Sequence, residues 1–447
     1  MIKILFFIEK LDGGGAEKVL RNLVNSMDQS QFDITVQTIW KFDGSKLLVP
    51  GIRYRYCYNQ PFSLVNSLKS RCFNNLFRVE VALKLISCYN GLKNNHERGI
   101  VMIRFNCDYS EGAHEKILAR LIETNMEQTP GYGEDEYCYE AADMIRKEIG
   151  NPDAAVHFLV GGTQTNLIVI DAALRPHQGV IAADSGHIAT HESGAIEGTG
   201  HKVMTIPSKD GTIWADEIKA LWASQHYSQT AEHEVQPGMV YISFPTENGT
   251  LYTKKQLEDI YKVCRECGLL LFVDGARLGY GLMSPACDIN MADLAANCDA
   301  FYIGGTKLGF LFGEALVITD KGLNRDFRYF IKHHGAMLAK GRLLGVQFGA
   351  AFKDGLYYDM AKNAIDLAME VKKGVKEAGF EMLFDSYTNQ QYVIMPDETV
   401  AELEKNYAFA LWCKPTENTS CIRICTSWAT KAEDVKALLE DIRKLSK

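Results

Sequence analysis

Three segments of the chain place residues where their types could do chemistry on a small molecule. Lys307 stands in Ile303-Gly304-Gly305-Thr306-Lys307-Leu308-Gly309, just past an apolar run. Glycines leave room beside a lysine for a bound group. Desolvation at a buried strand end lowers an amine's pKa and favours the neutral form that attacks a carbonyl to give an imine. On spacing alone a solvated loop lysine is the alternative. Asp274 opens Asp274-Gly275-Ala276-Arg277 after Leu269–Val273. A carboxylate buried there is unfavourable unless a cation meets it. A pyridinium nitrogen would be such a cation, and the pairing would keep that ring an electron sink. The ordinary alternative is a helix-capping aspartate. Gly161-Gly162-Thr163-Gln164-Thr165-Asn166 precedes the apolar helix Leu167–Leu174. Backbone N–H groups at a helix start attract a phosphate and glycines let it come close, although an N-cap turn has the same look.

The elements that must position these residues are legible from Met102 onward, where strands and helices alternate. Apolar strands are expected at Ala155–Val160, Val180–Ala183, Met239–Phe244, Leu269–Val273, Ala300–Ile303 and Ala315–Thr319. Helical patterns between several of them predict an α/β fold with a mostly parallel sheet, whose ligand lies beyond the carboxyl ends of the strands. A large domain is expected over residues 102–353 and a small α+β domain over 354–447. In the small domain, helices Met360–Ala378 and Lys431–Leu445 would flank strands Tyr392–Met395, Ala408–Trp412 and Cys421–Cys425.

The first 98 residues read differently. A strand Lys3–Ile8, a Gly-rich loop Asp12–Ala16, a helix Glu17–Met27 and a strand Phe32–Trp40 follow one another, and the polar stretch Tyr89–Glu97 suits a boundary. With Gly14, Gly15, Ala16 and Glu17 after its opening strand, the stretch from Met1 to about Cys88 resembles the start of glycosyltransferases built from two Rossmann-like domains. It spans roughly half of one such domain, with no counterpart of the nucleotide-sugar domain, so the resemblance implies ancestry rather than activity. Met102 stands where a second piece would begin, as in a gene fusion or a misplaced start.

Composition narrows the classes. A net charge of −8 argues against a nucleic-acid or anionic-membrane binder, whose contact faces need clustered Lys and Arg. No apolar stretch reaches the ~18 residues of a membrane span. The twelve cysteines are scattered, and the single CxxC, Cys264 with Cys267, offers no four-ligand metal geometry. With no signal peptide evident, the cysteines suit a reducing cytoplasm.

Taken in order, the loop, the DGAR segment and the Gly-Gly-Thr-Lys strand end resemble low-specificity L-threonine aldolases, pyridoxal-phosphate enzymes of the aspartate-aminotransferase-like fold. The resemblance runs from Met102 to the C-terminus. It includes Tyr132-Gly133-Glu134-Asp135, His187 with Glu192, Thr246-Glu247, Gly249-Thr250, Lys340-Gly341-Arg342 and Arg423–Trp428. It implies that Lys307 holds pyridoxal phosphate as a Schiff base, Asp274 pairs with the ring nitrogen, and His187 stacks on the ring and is a candidate for proton transfer. Gly162 and Thr163 would hold the phosphate, with Arg342 a further contact across a subunit interface. Arg277 and Arg423 would grip the substrate carboxylate. The implied assembly is a homodimer or homotetramer with shared active sites, acting on a small amino acid.

The implied reaction cleaves L-threonine, L-allo-threonine or related β-hydroxy-α-amino acids to glycine and an aldehyde. His187, Glu247 through a water, or released Lys307 are the candidate bases. β-Elimination or transamination would use the same lysine and aspartate. A sugar-nucleotide binder working through the N-terminal loop is a third class. Departures from the family pattern bear on the pocket. Cys107 replaces a serine that helps bind the carboxylate, and a thiol is the poorer donor. Pro245-Thr246-Glu247 stands in place of an Asn-Thr-His block, and the bulky Phe310 and Phe312 follow Lys307.

Overall fold

The computed structural model describes residues 2–8, 32–40, 53–58 and 102–446. The chain divides into two units, Met1–Gly99 and Ile100–Lys447. In the first, strands β1 (Ile2–Ile8), β2 (Phe32–Trp40) and β3 (Arg53–Tyr58) pair in parallel in the order β1-β2-β3. The loop Asp12–Ala16, the helix Glu17–Met27 and the stretch Tyr89–Glu97 lie outside the described residues.

The second unit is organised by a seven-stranded sheet in the order β5-β11-β10-β9-β8-β6-β7. Its strands are β5 (Ala155–Leu159), β6 (Gln178–Ala183), β7 (Val203–Ile206), β8 (Gln236–Ser243), β9 (Leu270–Asp274), β10 (Ala300–Gly304) and β11 (Glu314–Ile318). The central runs are near-continuously apolar because both faces are covered. Side chains alternate between two cores: Val240, Leu271, Val273 and Ile303 face one side, and Met239, Tyr241, Phe272 and Tyr302 the other. Helix Gly162–Ala173 packs on the second core through Ile168, Val169 and Ile170, and helix Lys254–Cys267 on the first through Leu257, Ile260 and Val263. Six strands run parallel. β11 is antiparallel to both neighbours, because the short link 305–313 has no room for a crossover helix.

A second sheet orders β12 (Glu381–Met382), β13 (Gln390–Pro396), β16 (Thr419–Cys425) and β15 (Ala410–Thr416). Helices Leu356–Glu377 and Ala432–Leu445 cover it through Val371, Val375, Leu438 and Ile442. The start of the unit joins this layer. β4 (Ile103–Arg104) pairs with β14 (Tyr407–Ala408), the Cys425 N–H donates to the Phe105 carbonyl at 2.8 Å, and Phe105 is fully buried in the same core. Residues 103–105 thus pack with the C-terminal layer although they were expected in the large domain. Among the described residues no helix is long and apolar enough to cross a membrane.

Candidate active site

The carboxyl ends of β5, β6, β8, β9 and β10 lie along one edge of the sheet, because these strands are mutually parallel. Asp274 closes β9 there and is buried. Its Oδ2 accepts from the Tyr241 hydroxyl at 2.6 Å and Asn166 Nδ2 at 3.1 Å. Oδ1 accepts from the Tyr302 hydroxyl at 2.5 Å and the Ala276 N–H at 3.0 Å. Burial alone would raise this carboxyl's pKa; the charge of His187 and these donors outweigh it and hold the pKa below its ordinary value. Asp274 is therefore an anchored anion, with burial and partners unlike those of an exposed helix cap.

His187 follows β6, and its Nδ1 lies 2.7 Å from Glu192 Oε1. Glu192 also accepts from Asn166 Nδ2 at 2.7 Å, so one amide ties the His187 partner to Asp274. Burial depresses the imidazole pKa, but the Glu192 hydrogen bond and the Asp274 charge raise it above its ordinary value. Glu247, just past β8, accepts the His187 N–H at 3.0 Å and the Ser243 hydroxyl at 2.6 Å. His191 is exposed, its ring 5.6 Å from that of His187.

Lys307 lies three residues past β10 and is part-buried. Its Nζ makes no hydrogen bond or ion pair among the described residues. Burial and then the Arg277 charge lower its pKa, against the pull of Asp108, Asp274 and Glu314. The loop before it is held by a residue that the sequence reading missed. Glu314, buried at the start of β11, accepts the Gly305 N–H at 3.1 Å and the Thr306 hydroxyl at 2.9 Å. Burial pushes the Glu314 carboxyl up to about 8. An acidic residue opening the apolar run Glu314–Ile318 was the available signal. Phe310 does not shape an open pocket: it is buried, with its ring 4.7 Å from Phe348.

The two arginines assigned to a carboxylate differ. Arg277 is engaged by buried Asp108, with Nε to Oδ2 at 2.6 Å and a terminal nitrogen to Oδ1 at 3.0 Å. Asn389 Nδ2 adds a third bond to Asp108 at 2.9 Å. Burial raises the Asp108 pKa; the charges of Arg277 and Lys307 and the hydrogen bonds from Arg277 and Asn389 prevail and lower it to about 2. Among the described residues Arg423, on β16, meets only neutral groups: Gln390 Oε1 at 3.1 Å, the Asn106 carbonyl at 3.0 Å and, 5.9 Å away, the Trp412 ring. Its Nε is buried with no partner. Cys107 follows Asn106, its Sγ 3.2 Å from the Ser110 hydroxyl. Arg342 turns to its own surroundings, donating to the carbonyls of Thr124 and Glu127 over the Tyr137 ring, with Nε unpartnered.

The edge fits pyridoxal phosphate. Helix Gly162–Ala173 has no side-chain cap at Gly161, which leaves its first N–H groups for a phosphate. A Cβ on Gly162 would stand 2.9 Å from the Tyr302 hydroxyl and press on the group that donates to Asp274. The Ser185 hydroxyl, at the end of β6, is buried without a partner. An anchored carboxylate, an amine unpartnered among the described residues and an uncapped helix start match that cofactor's ring nitrogen, aldehyde and phosphate.

Solved structures carry the same architecture. Thermus thermophilus aspartate aminotransferase matches 82% of this chain and 96% of its own at a TM-score of 0.57 and 14% identity, which defines the aspartate-aminotransferase-like fold. That fold is pyridoxal-phosphate-dependent in general. The family profile of the beta-eliminating lyases matches residues 108–398, and the chain belongs to that family. It is similar to Leishmania major threonine aldolase, 44% identical over 77% of this chain and all of that one, with a TM-score of 0.75. It is also 28% identical to a low-specificity L-threonine aldolase of Pseudomonas sp. over 76% of this chain and 97% of the relative.

Proposed function

We propose that this chain is a pyridoxal-phosphate-dependent lyase that cleaves L-threonine, L-allo-threonine and related β-hydroxy-α-amino acids to glycine and an aldehyde. One observation carries the reading. A part-buried lysine of lowered pKa, with no partner among the described residues, and an anchored aspartate follow the carboxyl ends of adjacent parallel strands, in a chain 44% identical to a threonine aldolase. The bound cofactor supplies an electron sink for bonds at the substrate Cα.

The residues divide the remaining tasks. Lys307 holds the cofactor through Nζ, whose lowered pKa supplies the neutral amine. Asp274 would meet the ring nitrogen as an anion, and His187 would stack on the ring. Gly162 and Thr163 hold the phosphate at the helix start. Arg423 takes the substrate carboxylate, its buried Nε gaining the acceptor it lacks. Arg277, engaged by Asp108, adds only its remaining donors, and Cys107 borders the same end. Fixing the carboxylate selects which bond at Cα breaks. Arg342, with its terminal nitrogens on the Glu127 and Thr124 carbonyls, would have only its Nε left to serve a neighbouring copy in a homo-oligomer with shared sites. The nine cysteines within residues 102–446 are all free, which suits the cytoplasm.

The test is an absorbance spectrum of wild type and Lys307→Ala with added pyridoxal phosphate, followed by L-threonine. A visible band absent from the variant is expected, with glycine and acetaldehyde appearing only for wild type. A keto acid with stoichiometric amine transfer would replace the lyase reading by transamination. A wild type without a band would remove Lys307 from its role.

A further inference from the structure

We propose that Glu247 is the catalytic base of the carbon–carbon cleavage, its Oε2 accepting the proton of the substrate β-hydroxyl; this rests on the lyase reading above. Five carboxylates belong to the site or its walls. Asp274 accepts four hydrogen bonds and Asp108 three. Both oxygens of Glu314 are taken. Glu192 uses Oε1 twice, and its Oε2 is sealed from solvent. Glu247 alone combines a fixed oxygen with an open one. Oε1 is held by Ser243 and the His187 N–H, while Oε2 accepts from no other residue among those described and the side chain is only part-buried.

Its contacts reach the residues assigned to the cofactor ring and to the substrate carboxylate. Oε1 accepts the backbone N–H of His187, the residue proposed to stack on the ring. The Glu247 carbonyl accepts the Tyr392 hydroxyl, and Tyr392 is the cross-strand partner of Arg423. The turn that carries Glu247 is stiff: Thr246 N–H bonds the Thr250 carbonyl at 3.0 Å, Gly249 N–H the Thr246 carbonyl at 3.0 Å, and Thr250 Oγ1 the Asp210 carbonyl at 2.7 Å. Burial pushes the Glu247 carboxyl above its ordinary value, and the Asp274 charge adds to the rise, although the Ser243 bond opposes it. A carboxylate of raised pKa is a stronger base. His187 is the weaker candidate, since Glu192 and Asp274 favour its protonated form.

In the step, the β-hydroxyl proton passes to Oε2 and the O–H pair becomes the second bond of the aldehyde carbonyl. The Cα–Cβ bond breaks, and its pair stays with the amino-acid half. Protonation at Cα then gives glycine, so atoms and charge balance.

Glu247→Gln keeps an oxygen for Ser243 and the His187 N–H and removes the base. Three quantities are read on the loaded variant and wild type: cofactor binding by absorbance, exchange of the glycine α-proton in deuterated water by NMR, and L-threonine cleavage. The expected result is cleavage lower by ~10²–10⁴-fold with cofactor binding and glycine exchange near wild type. Cleavage within about tenfold of wild type would overturn the assignment. Parallel loss of glycine exchange would also overturn it, by making Glu247 a positioning residue. A wild type that releases no glycine from L-threonine would fail the lyase reading itself, and this assignment with it.

Discussion

Arg277 and Arg423 approach the site from different sheets, and their surroundings are built on opposite plans. Arg277 is matched in charge and geometry before any ligand arrives, through its two-pronged contact with Asp108 and the added bond from Asn389. Arg423 is held in place by a glutamine and a backbone carbonyl, and among the described residues it meets no anion and its buried Nε has no partner. A matched guanidinium contributes to the fold, whereas an unmatched one keeps an unmet demand for a carboxylate. Side-chain type alone does not separate the two roles.

The contrast can be broken at either end. Asp108→Asn would leave a buried guanidinium without its counter-charge and should cost about 3–5 kcal/mol in urea or thermal unfolding. Arg423→Ala should leave stability within ~1 kcal/mol yet weaken binding of glycine to the loaded enzyme by about 30- to 1000-fold, measured by titration. If both variants shifted stability alike, the distinction would fall. Acid sharpens the first case. The Asp108 pKa is about 2 when folded against 3.8 in its absence of partners, so its contribution is present above the higher value and lost as pH falls toward the lower. The stability gap between wild type and Asp108→Asn, on the order of 2 kcal/mol from this source, should therefore narrow over that window. The smallest expected effect is that of Gln390→Ala. It frees one arm of Arg423 and should weaken glycine binding by ~1 kcal/mol, about fivefold.

Much of this was legible beforehand, for physical reasons. A polar residue closing an apolar run is conspicuous, which exposed Asp274, Lys307 and the Gly162–Thr163 turn. Strand and helix periodicity placed most strands of the two sheets to within a few residues, but not β7 or β12. Long-range pairing left no such trace. Asp108 and Arg277 are 169 residues apart, and nothing local to either announces the other. The direction of β11 was equally hidden, because an apolar run carries no sign of which way it is laid. Glu314 had the same signal as Asp274 with the order reversed, an acid before the run instead of after it. The edge strand β7 is short, with one exposed position among its four, and its pattern was too weak to see.

The tight crossing of β9 and β10 at their ends has a consequence for how the chain could vary. A Cβ on Gly275 would lie 1.8 Å from the Tyr302 carbonyl oxygen, and one on Gly304 2.3 Å from that of Ala276. In both cases the obstacle is main chain, which no change of rotamer can clear. In a saturation library scored for folded protein, these two codons would tolerate nothing but glycine, as sharply as any position that touches a ligand. A map of mutational tolerance would then place two chemically silent residues among the essential ones. Their intolerance would record how closely two strands must pass to bring Asp274 and Lys307 to one edge.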